Sequence, residues 1–146
     1  MFNLLVPKDA GIAEVEAGIT YGPAARHRLD LYRPDGAGPF PVLLFVYGGS
    51  WDSGHRQDYG FVGRALAAQG FLTAIADYRL VPEAHYPVFV DDAARAIMWL
   101  TGEAAARGGD PARICIAGHS AGAYTAVQAV LRNGLRHRAK AMAAQA

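Results

Sequence analysis

The chain contains a single cysteine, Cys115. An intrachain disulfide is therefore excluded. Set in the apolar run Ile114-Cys115-Ile116-Ala117, the thiol reads as a buried structural one. No stretch approaches ~18 consecutive apolar residues, so no transmembrane helix is expected. The start, Met1-Phe2-Asn3-Leu4-Leu5-Val6-Pro7-Lys8, has no basic segment leading into a long apolar run. No signal peptide is expected from it, and a cytoplasmic location is the default expectation. Charge is also scarce, at 18% of residues with a net of +1, which points to neither nucleic acid nor an anionic membrane as partner. Acid is missing altogether from the last stretch. All thirteen Asp and Glu lie at or before Asp110, while residues 111–146 carry Arg113, Arg132, Arg136, Arg138 and Lys140. No His/Cys/Asp/Glu cluster has the spacing of a metal site, and neither metal nor cofactor is implied.

What is plentiful is apolar surface. Hydrophobic residues make up 52% of 146, enough for one domain with a sizeable core rather than a disordered chain. There is no internal repeat and no low-complexity tract. Residues 1–11 read as a loosely ordered lead-in. Residues 13–21 alternate weakly and form a candidate strand; residues 27–32 alternate clearly, as a half-exposed strand does. Residues 34–39, rich in Pro and Gly, are a turn. Pro41–Tyr47 is a continuous apolar run, the mark of a strand covered on both faces. Residues 58–69 place Phe61, Val62, Ala65 and Leu66 at helical spacing, with Gly70 as a stop. Residues 71–76 are a further buried strand. Residues 88–106 predict the longest helix, with Val90, Ala94, Ile97 and Met98 on one face and Gly108-Gly109 closing it. Ile114–Ala117 predicts another buried strand, and a helix follows from about Tyr124 to Gly134.

From Pro41 onward the order is strand, helix, strand, helix, strand, helix. That order predicts an α/β protein with a mostly parallel sheet, right-handed crossovers and helices on both faces. Ligands in such sheets sit at the carboxyl ends of the strands. Tyr47-Gly48-Gly49-Ser50-Trp51, Asp77-Tyr78-Arg79 and Ser120 all fall at those ends.

Gly118-His119-Ser120-Ala121-Gly122 lies between a strand and a helix, the context of a G-x-S-x-G nucleophile elbow. The turn is so sharp that its serine is forced into a sparsely allowed conformation, and Gly118 and Gly122 make room for the backbones to pass. Ser120 is then a candidate nucleophile, with the N–H of Ala121 facing any charge that develops on a substrate carbonyl. Gly48 and Gly49 follow a buried strand and let the backbone turn its N–H groups toward a bound oxygen. An ordinary β-to-α turn explains the two glycines equally well when they are taken alone.

These motifs resemble the α/β-hydrolase esterase/lipase family, the hormone-sensitive-lipase-like and feruloyl-esterase-like carboxylesterases. The resemblance rests on Tyr47-Gly48-Gly49-Ser50-Trp51, Asp77-Tyr78-Arg79-Leu80-Val81-Pro82-Glu83, Tyr86-Pro87 with Asp91 or Asp92, Gly109-Asp110-Pro111-Ala112-Arg113-Ile114 and Gly118-His119-Ser120-Ala121-Gly122. It covers about residues 25–126, and the stretch from about Val127 to Ala146 no longer resembles the family. It implies an α/β-hydrolase fold and a small-molecule ester substrate. It also implies Ser120 as nucleophile, with an oxyanion hole from the N–H groups of Gly49, Ser50 and Ala121. Tyr47 stands where the commonest family pattern has a histidine that braces the loop. Trp51 lines the substrate pocket or anchors its loop to the sheet; both readings stay open. Asp77 and Arg79 are expected in structural hydrogen bonds or an ion pair under the site. Asp91 and Asp92 are explained by the dipole of the helix they begin.

The family order along the chain is serine, then an acid, then histidine. After Ser120 there is no Asp or Glu, and the only later histidine is His137, expected on the surface. His119 reads as structural, His27 lies on an early strand, and His55 and His85 sit on loops without a supporting pattern. No catalytic acid and no catalytic histidine are therefore assigned. The expectation is a fold cut short after the elbow helix, with the elbow strand near an unpaired edge. Carboxylic-ester hydrolysis through an acyl-enzyme leads. An amide hydrolase of the same fold, such as an arylformamidase or peptidase, and a non-catalytic remnant or interaction module are the alternatives.

Overall fold

The computed structural model describes residues 12–144, with backbone alone for residue 13 and residues 134–144. The lead-in at residues 1–11 and the side chain of His137 lie outside the described residues. The strands are β1 (Ile12–Thr20), β2 (Arg28–Pro34), β3 (Phe40–Val46), β4 (Leu72–Ala76) and β5 (Gly109–Gly118). The helices are α1 (Gly60–Ala68), α2 (Val88–Glu103) and α3 (Ala121–Ala144). Single 3₁₀ turns, Arg56–Tyr59 and Ala105–Arg107, precede α1 and follow α2.

The strands form one sheet in the order β1-β2-β4-β3-β5. β1 and β2 run antiparallel to their neighbours, and β3 runs parallel to both β4 and β5. Leu44 lies opposite Ala74 on one side and Ile116 on the other. The chain steps one way from β3 to β4 and back across β3 to β5. Right-handed crossovers then place the two intervening helices on opposite faces. α1 packs on β2 and β4, while α2 and α3 pack on each other and on β3 and β5.

β3 and β4 are central, and Val42, Leu44, Val46, Leu72 and Ile75 have essentially no exposure. Each such side chain contributes about 1.5–3 kcal/mol through its burial. Small residues make up part of each helix face on this core. In α2 the buried face is Phe89, Val90, Asp92, Ala93, Ala96 and Leu100. The larger Met98, expected inward, is exposed. α1 buries Gly60, Gly63 and Ala67 fully; of the expected Phe61, Val62, Ala65 and Leu66, Val62 packs half-buried against the core and Ala65 is exposed. A Cβ on Gly63 would stand 2.4 Å from the Tyr32 ring, so only glycine lets helix and strand come this close.

Five further expectations need correction. β2 is not half-exposed: Leu29 to Tyr32 are all buried. Asp30 goes inside because Arg56 Nε donates to its Oδ1 at 2.7 Å and the Gly18 N–H at 2.8 Å. β5 is not a buried strand, since only β3 borders it among the described residues, and Pro111, Ala112, Arg113 and Cys115 are exposed. The Cys115 thiol is thus no buried group; it donates to the Val42 carbonyl at 3.3 Å from an exposed position. The long helix ends at Glu103, short of residue 106. The final helix does not stop near Gly134, because its backbone stays helical through Ala144. One interior glycine costs about 1 kcal/mol, which flanking Ala, Leu and Arg readily offset. No helix among the described residues is long and apolar enough to cross a membrane.

Candidate active site

β5 ends at Gly118 and α3 begins at Ala121, and Ser120 between them has φ 55°. This left-handed conformation costs a non-glycine residue on the order of 1–3 kcal/mol and persists only where the surroundings over-determine it. Here they do. The His119 N–H donates to the Val46 carbonyl at 3.1 Å, and the Gly122 and Ala123 N–H groups close the turn on His119 and Ser120 at 2.9 Å each. A Cβ on Gly118 would lie 2.5 Å from the Gly122 carbonyl oxygen, and one on Gly122 would lie 2.0 Å from that of Val46. Ser120 itself is exposed.

The turn after β3 arrives at the same place. A Cβ on Gly48 would lie 3.1 Å from the Ser120 Cβ and 2.9 Å from the His119 carbonyl oxygen. The turn is itself bent into left-handed backbone at Gly49 (φ 125°), Ser50 (φ 50°) and Trp51 (φ 61°). It closes on the Gly49 carbonyl, which accepts from the N–H groups of Asp52 and Ser53 and from the Ser53 hydroxyl. The N–H groups of Gly49, Ser50 and Ala121 donate no hydrogen bond among the described residues. Sequence left two roles for Trp51. Its Nε1–H donates to Thr125 Oγ1 at 3.0 Å, and its ring stacks on Phe89 with centroids 5.3 Å apart. The indole therefore ties the turn to α2 and α3.

Beneath the turn lies a polar network that sequence reasoning resolved only in part. The Tyr47 phenol, in the histidine position of the commonest pattern, donates to Asp77 Oδ1. Burial, then the Asp77 charge, pushes the phenol well above its ordinary range, so it stays a neutral donor. Asp77 also accepts from the Arg56 backbone and guanidinium. Arg26 donates to the Tyr47 hydroxyl at 3.0 Å, and the Tyr78 hydroxyl donates to the Tyr47 carbonyl at 2.8 Å. Asp77 and Arg79 do not pair with each other: Arg79 forks onto Asp92, from Nε to Oδ2 at 3.0 Å and from Nη2 to Oδ1 at 2.6 Å.

Asp92 is fully buried, so the helix dipole is not its main role, whereas Asp91 is exposed and pairs with Arg132. The buried His27 also reaches Asp92, with Nε2 2.8 Å from Oδ1. Its Nδ1 accepts from the Ala24 N–H at 3.0 Å, which places the proton on Nε2 and makes that nitrogen the donor. Arg26, Arg56, Asp92 and His27 were missed as parts of one support. Alternating charge along β2 and a histidine beside it were the only signals for them.

No histidine among the described residues is hydrogen-bonded to Ser120, although the His119 ring lies close by, its Nδ1 3.3 Å from where a Cβ on Gly48 would stand. His55, His85 and His119 are exposed, and His27 is occupied with Asp92. Among the described residues no hydrogen bond reaches the Ser120 hydroxyl, and no group of three His, Cys, Asp or Glu is placed to hold a metal ion. The arrangement presents an exposed hydroxyl at the elbow, with Gly48 packed against it. Among the described residues no base is hydrogen-bonded to it.

The sheet order, the strained serine between strand and helix, and the glycine turn against it define an α/β-hydrolase of the esterase type. The chain belongs to the BD-FAE family, whose model matches residues 29–145. The match runs past Val127, where the sequence reading ends the resemblance. Over 125 residues the chain is 39% identical to the probable isoprenylcysteine alpha-carbonyl methylesterase ICMEL1 of Oryza sativa subsp. japonica, covering 85% of this chain and 29% of that protein. It is 36% identical over 114 residues to the carboxylesterase NlhH of Mycobacterium tuberculosis, covering 77% and 32%. Among solved structures, esterase B from Lactobacillus rhamnosis with a tributyrin phosphonate matches with a TM-score of 0.75 at 26% identity, over 82% of this chain and 40% of that one. The chain thus spans about a third of the length of the curated relatives it matches.

Proposed function

We propose that the chain carries the nucleophile and oxyanion hole of a carboxylic-ester hydrolase. The observation that carries this is Ser120 in left-handed backbone at a strand–helix junction, with Gly48 packed against it. The Ser120 oxygen attacks the ester carbonyl carbon and its proton leaves to a base. The oxygen of the tetrahedral intermediate is held by the N–H groups of Gly49, Ser50 and Ala121. Collapse expels the alcohol with a proton, and water then releases the acid and restores the serine. The names of the relatives, a methylesterase and a carboxylesterase, support ester over amide. Among the described residues no base is hydrogen-bonded to the serine, and the chain alone is expected to turn over far below the ~1–10³ per second typical of enzymes.

The test is hydrolysis of p-nitrophenyl acetate and butyrate, with a formyl-amide for comparison, by the purified chain and by Ser120→Ala. A slow release of nitrophenol is expected, falling about tenfold to a hundredfold in Ser120→Ala, or ~1.4–2.7 kcal/mol of transition-state stabilisation. A rate unchanged in Ser120→Ala would sink the assignment and favour a non-catalytic role. Full enzymatic turnover that vanishes in Ser120→Ala would keep the serine but overturn the expectation of slow turnover.

A further inference from the structure

We propose that Arg26 is the positioning residue of the oxyanion turn: one guanidinium pins both ends of the Tyr47–Gly54 segment to the end of β4. The proposal rests on the reading of Ser120 as nucleophile.

Arg26 lies in the loop between β1 and β2, more than twenty positions before the segment it holds. Its Nη2 donates to the Gly54 carbonyl at 2.8 Å and to the Tyr47 hydroxyl at 3.0 Å. Its Nε donates to the Tyr78 carbonyl at 2.8 Å, just beyond β4. Tyr47 and Gly54 bracket Gly48–Ser53, the stretch that carries the free N–H groups of Gly49 and Ser50. The clip therefore fixes the turn by its two ends and leaves the N–H groups of Gly49 and Ser50 unused. The remaining contacts are consistent with a fixed fork. Nη2 stands 3.7 Å from Asp77 Oδ1, and Nη1 lies 3.4 Å from His55 Nδ1 at the solvent side. The guanidinium side chain is only 20% exposed, so water cannot freely replace it.

Chemistry favours arginine here. Three acceptors, two at the ends of one segment and one on another, must be met from one plane, which a rigid guanidinium fork does and a lysine point charge does not. The turn needs such a hold because Ser50 and Trp51 are left-handed without being glycine. Trp51 is held at one side by Thr125. Arg26 supplies the opposite side.

The Asp52 and Ser53 amides, both bonded to the Gly49 carbonyl, report the order of the turn by hydrogen exchange. In Arg26→Met these two amides should exchange roughly tenfold faster or more, as in local opening, while β3 and β4 amides keep their protection. Ser120-dependent nitrophenyl ester hydrolysis should fall with KM nearly unchanged. Free guanidinium added to Arg26→Ala should restore both readings, and Arg26→Lys should restore neither. Unchanged exchange at Asp52 and Ser53 in the folded Met variant overturns the proposal. So does a Lys variant equal to wild type, or a loosened turn that leaves Ser120-dependent hydrolysis intact. Hydrolysis that survives Ser120→Ala in otherwise wild-type protein overturns the nucleophile reading instead, and amide exchange still decides whether Arg26 holds the turn.

Discussion

Gly122→Ala is expected to remove a large share of the protein's stability. The added Cβ would stand 2.0 Å from the Val46 carbonyl oxygen and 2.5 Å from that of Tyr47. Both are backbone atoms at the end of the central strand β3, so no side chain can swing away to make room. Either the elbow separates from β3 or the strand end shifts, and the His119 N–H bond to Val46 is lost. The loss should reach on the order of 4–5 kcal/mol, the range of exceptional single substitutions. A typical domain has only ~5–15 kcal/mol in total. Urea unfolding followed by circular dichroism measures it. Gly102→Ala is the control, because a Cβ there meets nothing within 4 Å and lies inside α2; it should be neutral or stabilise by about 0.4–1 kcal/mol. A Gly122→Ala midpoint within error of wild type would show that the elbow does not press on β3.

Asp92→Ala should cost about 3–5 kcal/mol, the usual consequence of taking one partner from a buried charge pair. The low end is expected, because the Arg79 side chain is 29% exposed and water takes over part of its solvation. Burial by itself would raise the Asp92 carboxyl. The Arg79 side-chain and backbone bonds, together with His27, outweigh that and hold it below the usual carboxylate range. A depressed folded-state value fixes the sign. The contribution is complete above the ordinary carboxylate range and is lost as pH falls through the folded value. Urea midpoints measured from neutral pH down through that range should therefore decline more steeply in wild type than in Asp92→Asn. Parallel profiles would remove Asp92 from the account of acid sensitivity.

These two positions also show what was legible in the sequence. Gly122 was readable because the elbow is local: strand, five residues and helix are contiguous, and the glycines are needed for reasons that act within the motif. The positions of β3 and β4 were readable for a similar reason, since an unbroken apolar run at the centre of a sheet has few other uses. Asp92 was not readable. Its partners His27 and Arg79 lie 65 and 13 positions away, and a carboxylate in the first turn of a helix already has a sufficient local explanation. Arg26 was hidden for the same reason, as an ordinary-looking loop arginine. β5 misled in a different way. Ile114-Cys115-Ile116-Ala117 has the composition of a buried strand, and nothing in four residues says whether one neighbour or two will pair with it. Only the strand order shows that, among the described residues, β5 has one.

The backbone at Ser120 places two kinds of selection in opposition at a single codon. Glycine, with no Cβ to crowd the carbonyls, would rest there at less cost than serine, and asparagine tolerates the same region. Folding alone would therefore let position 120 drift away from serine, and every generation in which the hydroxyl goes unused adds to that drift. A serine kept at this position across a lineage thus records demand for its oxygen rather than for its shape. Its replacement by glycine or asparagine, with Gly118 and Gly122 retained, would mark a branch that kept the fold and gave up the reaction.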